Sequence, residues 1–171
     1  DFMAKHGIKG IIGGGAAAGG AQDQVITQWR DTLAKHGRET ELGTDLCIGY
    51  STHIAETEEK AINEARLFFE ENMKMFAPLG FVRGLSDEQI SALASGSAAR
   101  TASLPTLEDG VKAGSWLCGP AELVTEKLMD VQSRYPGLEQ INVGSPVGTP
   151  QVVILEQLER FANEVMPAFK K

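Results

Sequence analysis

The chain has 171 residues, 42% of them hydrophobic, and a formal net charge of −7, which is enough for one domain with a real core. The negative balance excludes a general nucleic-acid binder, which needs a basic face to displace counterions. No apolar run approaches the ~20 residues of a membrane-spanning helix, so neither nucleic acid nor membrane is an expected partner.

The first seven residues, DFMAKHG, read as the last turns of a helix closed by a C-cap glycine, Gly7. A chain that begins inside a helix is expected to continue something upstream. Residues 8–12 are apolar and bounded by glycines, and are predicted as a short buried strand. A helix is predicted over 22–36, with Val25, Ile26, Trp29 and Leu33 on one face and Gly37 closing it. Residues 46–54 are rich in strand formers. Residues 56–76 follow as a longer helix that buries Ala61, Ala65, Phe68, Phe69, Met73 and Phe76.

Residues 77–115 break the rhythm. They are rich in Gly, Ser and Ala, and contain one short helix at 87–94, where Ser86 and Gln89 have capping-box spacing. The segment reads as an insertion or lid within a single domain that covers 1–171. The alternation then resumes. Pro120 sits at the favoured first position of a helix whose buried face is Leu123, Val124, Leu128 and Val131. A strand is predicted around 141–143. The last helix, drawn from TPQVVILEQLERFANEVMP, turns Val153, Ile154, Leu158, Phe161 and Val165 inward and ends at Pro167.

Alternating strands and helices imply parallel strands with helical crossovers. Only three strong strands are visible, and a complete eightfold barrel needs about 250 residues. The fold class is therefore α/β, either a small open sheet or the tail of a barrel. Cys47 and Cys118 form no CxxC or Cys/His metal pattern and read as reduced thiols. With no signal peptide visible, reduced thiols fit a cytoplasmic compartment.

The run Gly13-Gly14-Gly15-Ala16-Ala17-Ala18 matches G-x-G-x-x-A after a strand. The match is weak, because a Gly/Ala tract produces it easily. In a dinucleotide fingerprint the helix opens within the motif and an acid follows about 20 residues on. Here helical periodicity starts only near Gln22, and neither Asp45 nor Glu56 stands at the right distance. Two readings stay open: a glycine loop without a ligand, or a strand-to-helix loop on the catalytic face of a barrel. In the second, glycines let a flat ligand lie against backbone.

Side-chain alternation along 46–54 gives two sets. Leu46, Ile48, Tyr50, Thr52 and Ile54 are mainly bulky and suit a helix-covered face. Cys47, Gly49, Ser51 and His53 are small, then polar, and suit a face with room for a ligand. Ser51 and His53 stand towards the carboxyl end of the strand, where barrel active sites lie.

The segment GPAELVTEKL (residues 119–128), the turn Gly137-Leu138-Glu139 and the closing FANEVMP (161–167) resemble the C-terminal end of the bacterial luciferase-like flavin monooxygenases. HIAETEEKAINEA (53–65) and FMAKHGIKGIIGGG (2–15) resemble that family's passages around its seventh and sixth strands. The resemblance covers nearly the whole chain except the insertion. It implies the last three or so βα units of a TIM (β/α)8 barrel.

The resemblance further implies reduced FMN, or the deazaflavin F420 in one branch, as cofactor. With FMN it implies O2 and a small organic substrate, commonly with a separate flavin reductase. It lays Gly13, Gly14 and Gly15 against the flavin ring and places Ser145 towards the substrate. Positions that match Gly49 and Ser51 are polar or basic in alkanesulfonate-type relatives. Neither is basic here, which argues against a sulfonate substrate and leaves His53, with Ser51, as the candidate catalytic group and hydrogen-bond donor or proton carrier. The phosphate-binding loop would lie upstream of Asp1. The alternatives are an F420-dependent oxidoreductase on the same barrel, or a non-catalytic flavin-binding remnant. Half a barrel leaves two open sheet edges, so a homodimer is the expected assembly.

Overall fold

The computed structural model describes residues 1–13, 21–76, 79, 88, 91 and 105–169. A one-turn helix α1 (Phe2–Lys5) leads into strand β1 (Gly10–Ile12), helix α2 (Ala21–Lys35), strand β2 (Leu46–Ile54) and helix α3 (Glu58–Phe76). Helix α4 (Leu107–Ala113), strand β3 (Trp116–Gly119), helix α5 (Ala121–Arg134), strand β4 (Gln140–Gly144) and helix α6 (Gln151–Arg160) follow. A π turn over Phe161–Val165 and a 3-10 turn over Met166–Phe169 close the described chain.

The start is helical, and Gly7 takes a left-handed φ of 66° just past the end of α1. The Ile8 amide reaches back to the Met3 carbonyl at 2.9 Å, the return bond that a glycine in this conformation permits. Ile8 itself is exposed, and the strand begins two residues later than its apolar run predicts.

All the strand pairings are parallel and centre on β2. β1 lies along Leu46–Ile48 and β4 along Cys47–Ser51. β3 lies along Ser51–Ile54. Because β4 overlaps both other registers, β1 and β3 share one side of β2, end to end, and β4 takes the other. β3 is the strand that the sequence reading lacks. Its four residues are all buried, so it shows no alternation and is too short to register as a run.

Two cores lie on opposite faces of this sheet. On one, Leu46, Ile48, Tyr50 and Ile54 pack with Ile12 and Leu117 under Ile26 of α2 and Val124, Leu128 and Val131 of α5. Each fully buried aliphatic side chain contributes about 1.5–3 kcal/mol. On the other, Trp116 and Cys118 of β3 pack under Ala61 and Ala65 of α3 and Leu107 and Val111 of α4. Consecutive residues of β3 thus belong to different cores, as alternation requires. Helix α4 falls within the stretch read as an insertion and starts with a Thr106/Asp109 capping box. The helix expected at 87–94 lies largely outside the described residues.

Three details differ from the sequence reading. Pro120 is the N-cap of α5 rather than its first residue. Val25 is 37% exposed, because the buried stripe of α2 runs through Ile26 and Leu33. In the last helix Leu158 is 48% exposed and Gln157 is buried in its place. The wider π turn that follows explains this: inward positions run 157, 161, 165, a spacing of four that suits more than 3.6 residues per turn.

The α5–β4 turn is tied to the loop before β2. The Gly137 amide donates to the Leu42 carbonyl at 2.8 Å. A Cβ on Gly137 would collide with Thr44 Oγ1 and come within 2.9 Å of the Thr44 amide nitrogen. Gly137→Ala is expected to cost about 1–3 kcal/mol through overpacking, read from chemical denaturation midpoints. A cost under about 0.5 kcal/mol, the range of ordinary surface changes, would show that the two loops part freely.

Candidate functional site

The carboxyl ends of parallel strands are where α/β folds place their ligands. Along β2 the register builds one face in rows that runs towards this edge. Ile11, Cys47 and Gln140 form one row, Gly49 and Asn142 the next, and Ser51 and Gly144 the third. Ile11 is 79% exposed although it sits inside a strand. Cys47, Gly49 and Ser51 are half-buried, and Gln140, Asn142 and Gly144 are exposed. Of the small-then-polar set, Cys47, Gly49 and Ser51 are accessible and His53 is buried.

Gly13 follows β1 at this edge and is exposed; Gly14 and Gly15 lie outside the described residues. A Cβ on Gly13 or on Gly144 would meet nothing within 4 Å, and neither has a left-handed φ. Among the described residues nothing at these two strand ends requires glycine. Ser145 is half-buried, one residue past Gly144, the register partner of Ser51.

His53 shares its strand face with Ser51 but not its access. It is 5% exposed, lying where α3 crosses the sheet face. Its Nε2 is 3.0 Å from Glu64 Oε2, and its ring centroid is 6.2 Å from that of Phe68. Lys60 Nζ stands 3.5 Å from the other Glu64 oxygen and also pairs with Glu56. Beside it, Trp116 stacks edge-on against Phe69 at 5.6 Å. Ser51, in register with Trp116, stands where this aromatic cover ends and the open face begins. Trp29, by contrast, is a packing residue whose indole N–H donates to the Thr44 carbonyl at 3.0 Å.

Two groups that bear on the site have no sequence signal of their own. One is Glu64. The other is the pair Gln157 and Arg160 on α6. The Ile54 N–H donates to Gln157 Oε1 at 2.6 Å, and Gln157 Nε2 donates to the Ile54 carbonyl at 3.1 Å. Arg160 Nη1 donates to the same carbonyl at 2.9 Å. β4 stops pairing at Ser51, so α6 satisfies the backbone of β2 just beyond His53, where β4 has ended.

Burial pushes the Cys118 thiol up to about 12, so it stays protonated and is not a nucleophile. On the opposite, helix-covered face a cavity of about 510 Å³ opens between α2 and α5, with Tyr50, Gln22, Lys127 and Tyr135 among its walls. None of the described sequence-predicted site residues lines it. Among the described residues no helix is long and apolar enough to cross a membrane.

No protein-family model and no curated protein matches the sequence; solved structures do match. Over 99% of this chain the monooxygenase RslO1 from Streptomyces bottropensis superimposes with a TM-score of 0.63 at 14% identity. The oxygenating constituent of 3,6-diketocamphane monooxygenase, from the CAM plasmid of Pseudomonas putida, gives 0.65 at 16% identity over 98%, in a complex with FMN. The chain shares the fold of these two enzymes over nearly its whole length. A riboflavin lyase with a modified FMN is also similar, at 0.53 and 18% identity over 96% of the chain. The chain spans 44% of the length of the first two and 39% of the third. Its parallel sheet corresponds to a partial barrel segment of the longer proteins.

Proposed function

We propose that this chain forms the C-terminal part of a luciferase-like flavin-dependent monooxygenase that uses reduced FMN and O2 to oxidise a small organic substrate. The observation that carries the reading is the face of β2 on which Cys47, Gly49 and Ser51 stay accessible, with His53 buried beyond Ser51 and, among the described residues, nothing within 4 Å of a Cβ on Gly13 or Gly144. That face belongs to a fold shared with an FMN-bound oxygenating enzyme.

The residues present fit a flat ring. Gly13 and Gly144 would let an isoalloxazine approach backbone without a side chain between. When bound, reduced FMN supplies the electrons for oxygen chemistry. The chain's own residues orient, exclude water and handle protons. Ser51 offers a hydroxyl to the substrate or ring, and Ser145 a second one from just past β4. Trp116, Phe68 and Phe69 keep water away from His53, and His53 moves a proton between its ring and the reacting oxygen. With no cation at Gly49 or Ser51, a neutral substrate such as a ketone or aldehyde fits better than a sulfonate.

F420 is the alternative cofactor, with hydride transfer as the reaction. A flavin holder without turnover is the reading favoured by the enclosure of His53. In the described residues β1 and β4 pair only with β2, and Val152 and Leu155 of α6 are 71% and 58% exposed. These edges support a homodimer as the assembly. A separate flavin reductase and a cytoplasmic location complete the proposal.

FMN titration with Gly13→Ala separates these readings. The variant should melt at the same temperature as wild type, since its Cβ meets none of the described residues within 4 Å. It should bind FMN about tenfold more weakly, which is ~1.4 kcal/mol. Unaltered FMN affinity would remove Gly13 from the site. If F420 binds and FMN does not, the oxidoreductase alternative holds. Binding of FMN without substrate oxidation in the presence of a reductase would favour the non-catalytic one.

A further inference from the structure

We infer that Glu64 is a positioning residue for His53: its carboxylate holds the imidazole in the Nε2–H tautomer and leaves Nδ1 as the nitrogen that accepts a proton. The inference deepens the proposed role of His53 as proton carrier and rests on it.

The geometry comes from one face of α3. Lys60, Glu64 and Phe68 are spaced four apart and so stand one above another. Glu64 Oε2 meets His53 Nε2 at 3.0 Å, and the Phe68 ring lies tilted 46° against the imidazole. Carboxylate and ring thus hold the imidazole at two points. An ionised carboxylate can only accept hydrogen bonds, so a neutral His53 bonded to it must carry its proton on Nε2. The acceptor lone pair is then on Nδ1.

Lys60 Nζ stands 3.5 Å from Glu64 Oε1, the carboxylate oxygen that does not face His53. The neighbouring groups do not compete. Cys118, beside His53 in the register, is a neutral thiol. Arg160 is engaged with the Ile54 carbonyl and Glu64 lies on the other helix from it, while its own carboxylate partner is Glu164. A buried histidine with one nitrogen committed to a half-exposed carboxylate is built for a fixed proton direction.

Nitrogen-resolved NMR of the imidazoles in the full chain tests the tautomer without any flavin. Wild type should show His53 as the Nε2–H form, with a downfield Nε2 proton that exchanges slowly with water. Glu64→Ala, at a half-exposed helical position where alanine is well tolerated, should lose that slow proton while the chain melts cooperatively. An Nδ1–H form in wild type, or a slow Nε2 proton that survives in Glu64→Ala, overturns the inference. In the flavin-loaded, substrate-oxidising protein, Glu64→Ala should lower kcat roughly tenfold or more with KM within about twofold, as loss of an orienting partner does. If the Nε2 proton is lost and kcat does not move, the tautomer assignment stands and His53 is overturned as the proton carrier.

Discussion

His53→Gln lowers turnover of the flavin-loaded protein by about 10²–10³-fold, the range expected when a positioned acid–base group is removed. Its effect on stability is smaller. The imidazole is buried, so alanine would leave a cavity and confuse folding with function. Glutamine keeps much of the volume and can still bond Glu64 from its amide, but it cannot take up a proton near neutral pH. Turnover with reduced flavin and any accepted substrate, set beside the melting temperature, reads the two effects separately. If turnover stays within twofold of wild type, His53 is a packing residue under α3, and Ser51 is left as the polar group of the site. If turnover and melting temperature fall together, the histidine serves the fold.

The effect is expected to be large because the surroundings of His53 are dry and fixed. Glu64 and Phe68 hold the ring, and the side chain is 5% exposed. A proton carrier in such a site works in one geometry and with little competition from water. The serine beside it differs. Ser51 is half-buried at the open edge, and water can replace part of what its hydroxyl does. Ser51→Ala is for that reason the smaller of the two losses.

The sequence made the strand that carries these residues legible in full. Strand-forming composition marked both ends of β2, and the period of two assigned which side chains share a face. Gly7 was legible because few residues other than glycine adopt that left-handed turn comfortably. β3 was not, since WLCG is buried on both sides and offers no contrast between faces. Nor was the cover over His53. Alternation places His53 with Ser51, but whether a helix crosses above depends on the path of α3, which a one-dimensional pattern does not contain. Glu64 reads as one more charge on a solvated face until α3 is laid against the sheet. Gln157 was hidden for the opposite reason. A polar residue inside an apolar stripe reads as facing water, and only the end of β4 shows that a backbone segment there needs a partner.

Gln157→Leu is expected to cost about 2–3 kcal/mol, the largest loss of stability from any single polar change here. Two bonds vanish, and they are not equal. The Ile54 carbonyl keeps a donor in Arg160 Nη1 at 2.9 Å. The Ile54 N–H keeps nothing, because its acceptor was Gln157 Oε1. A buried donor left without a partner costs about 1–3 kcal/mol on its own, and leucine cannot offset it. In a domain of this size such a loss lowers the melting temperature by roughly 5–10 °C. Gln157→Glu keeps an oxygen for the N–H and gains the Arg160 guanidinium as a neighbour, so it should recover much of the loss. Arg160→Met should cost less than Gln157→Leu, since Gln157 Nε2 still serves the carbonyl. If Gln157→Leu melts with wild type, β2 does not depend on α6 at its carboxyl end, and His53 is held from α3 alone. If the order is as stated, the residue next to His53 is fixed by a side chain from 103 positions away, and loosening that contact should also shorten the lifetime of the slow Nε2 proton on His53.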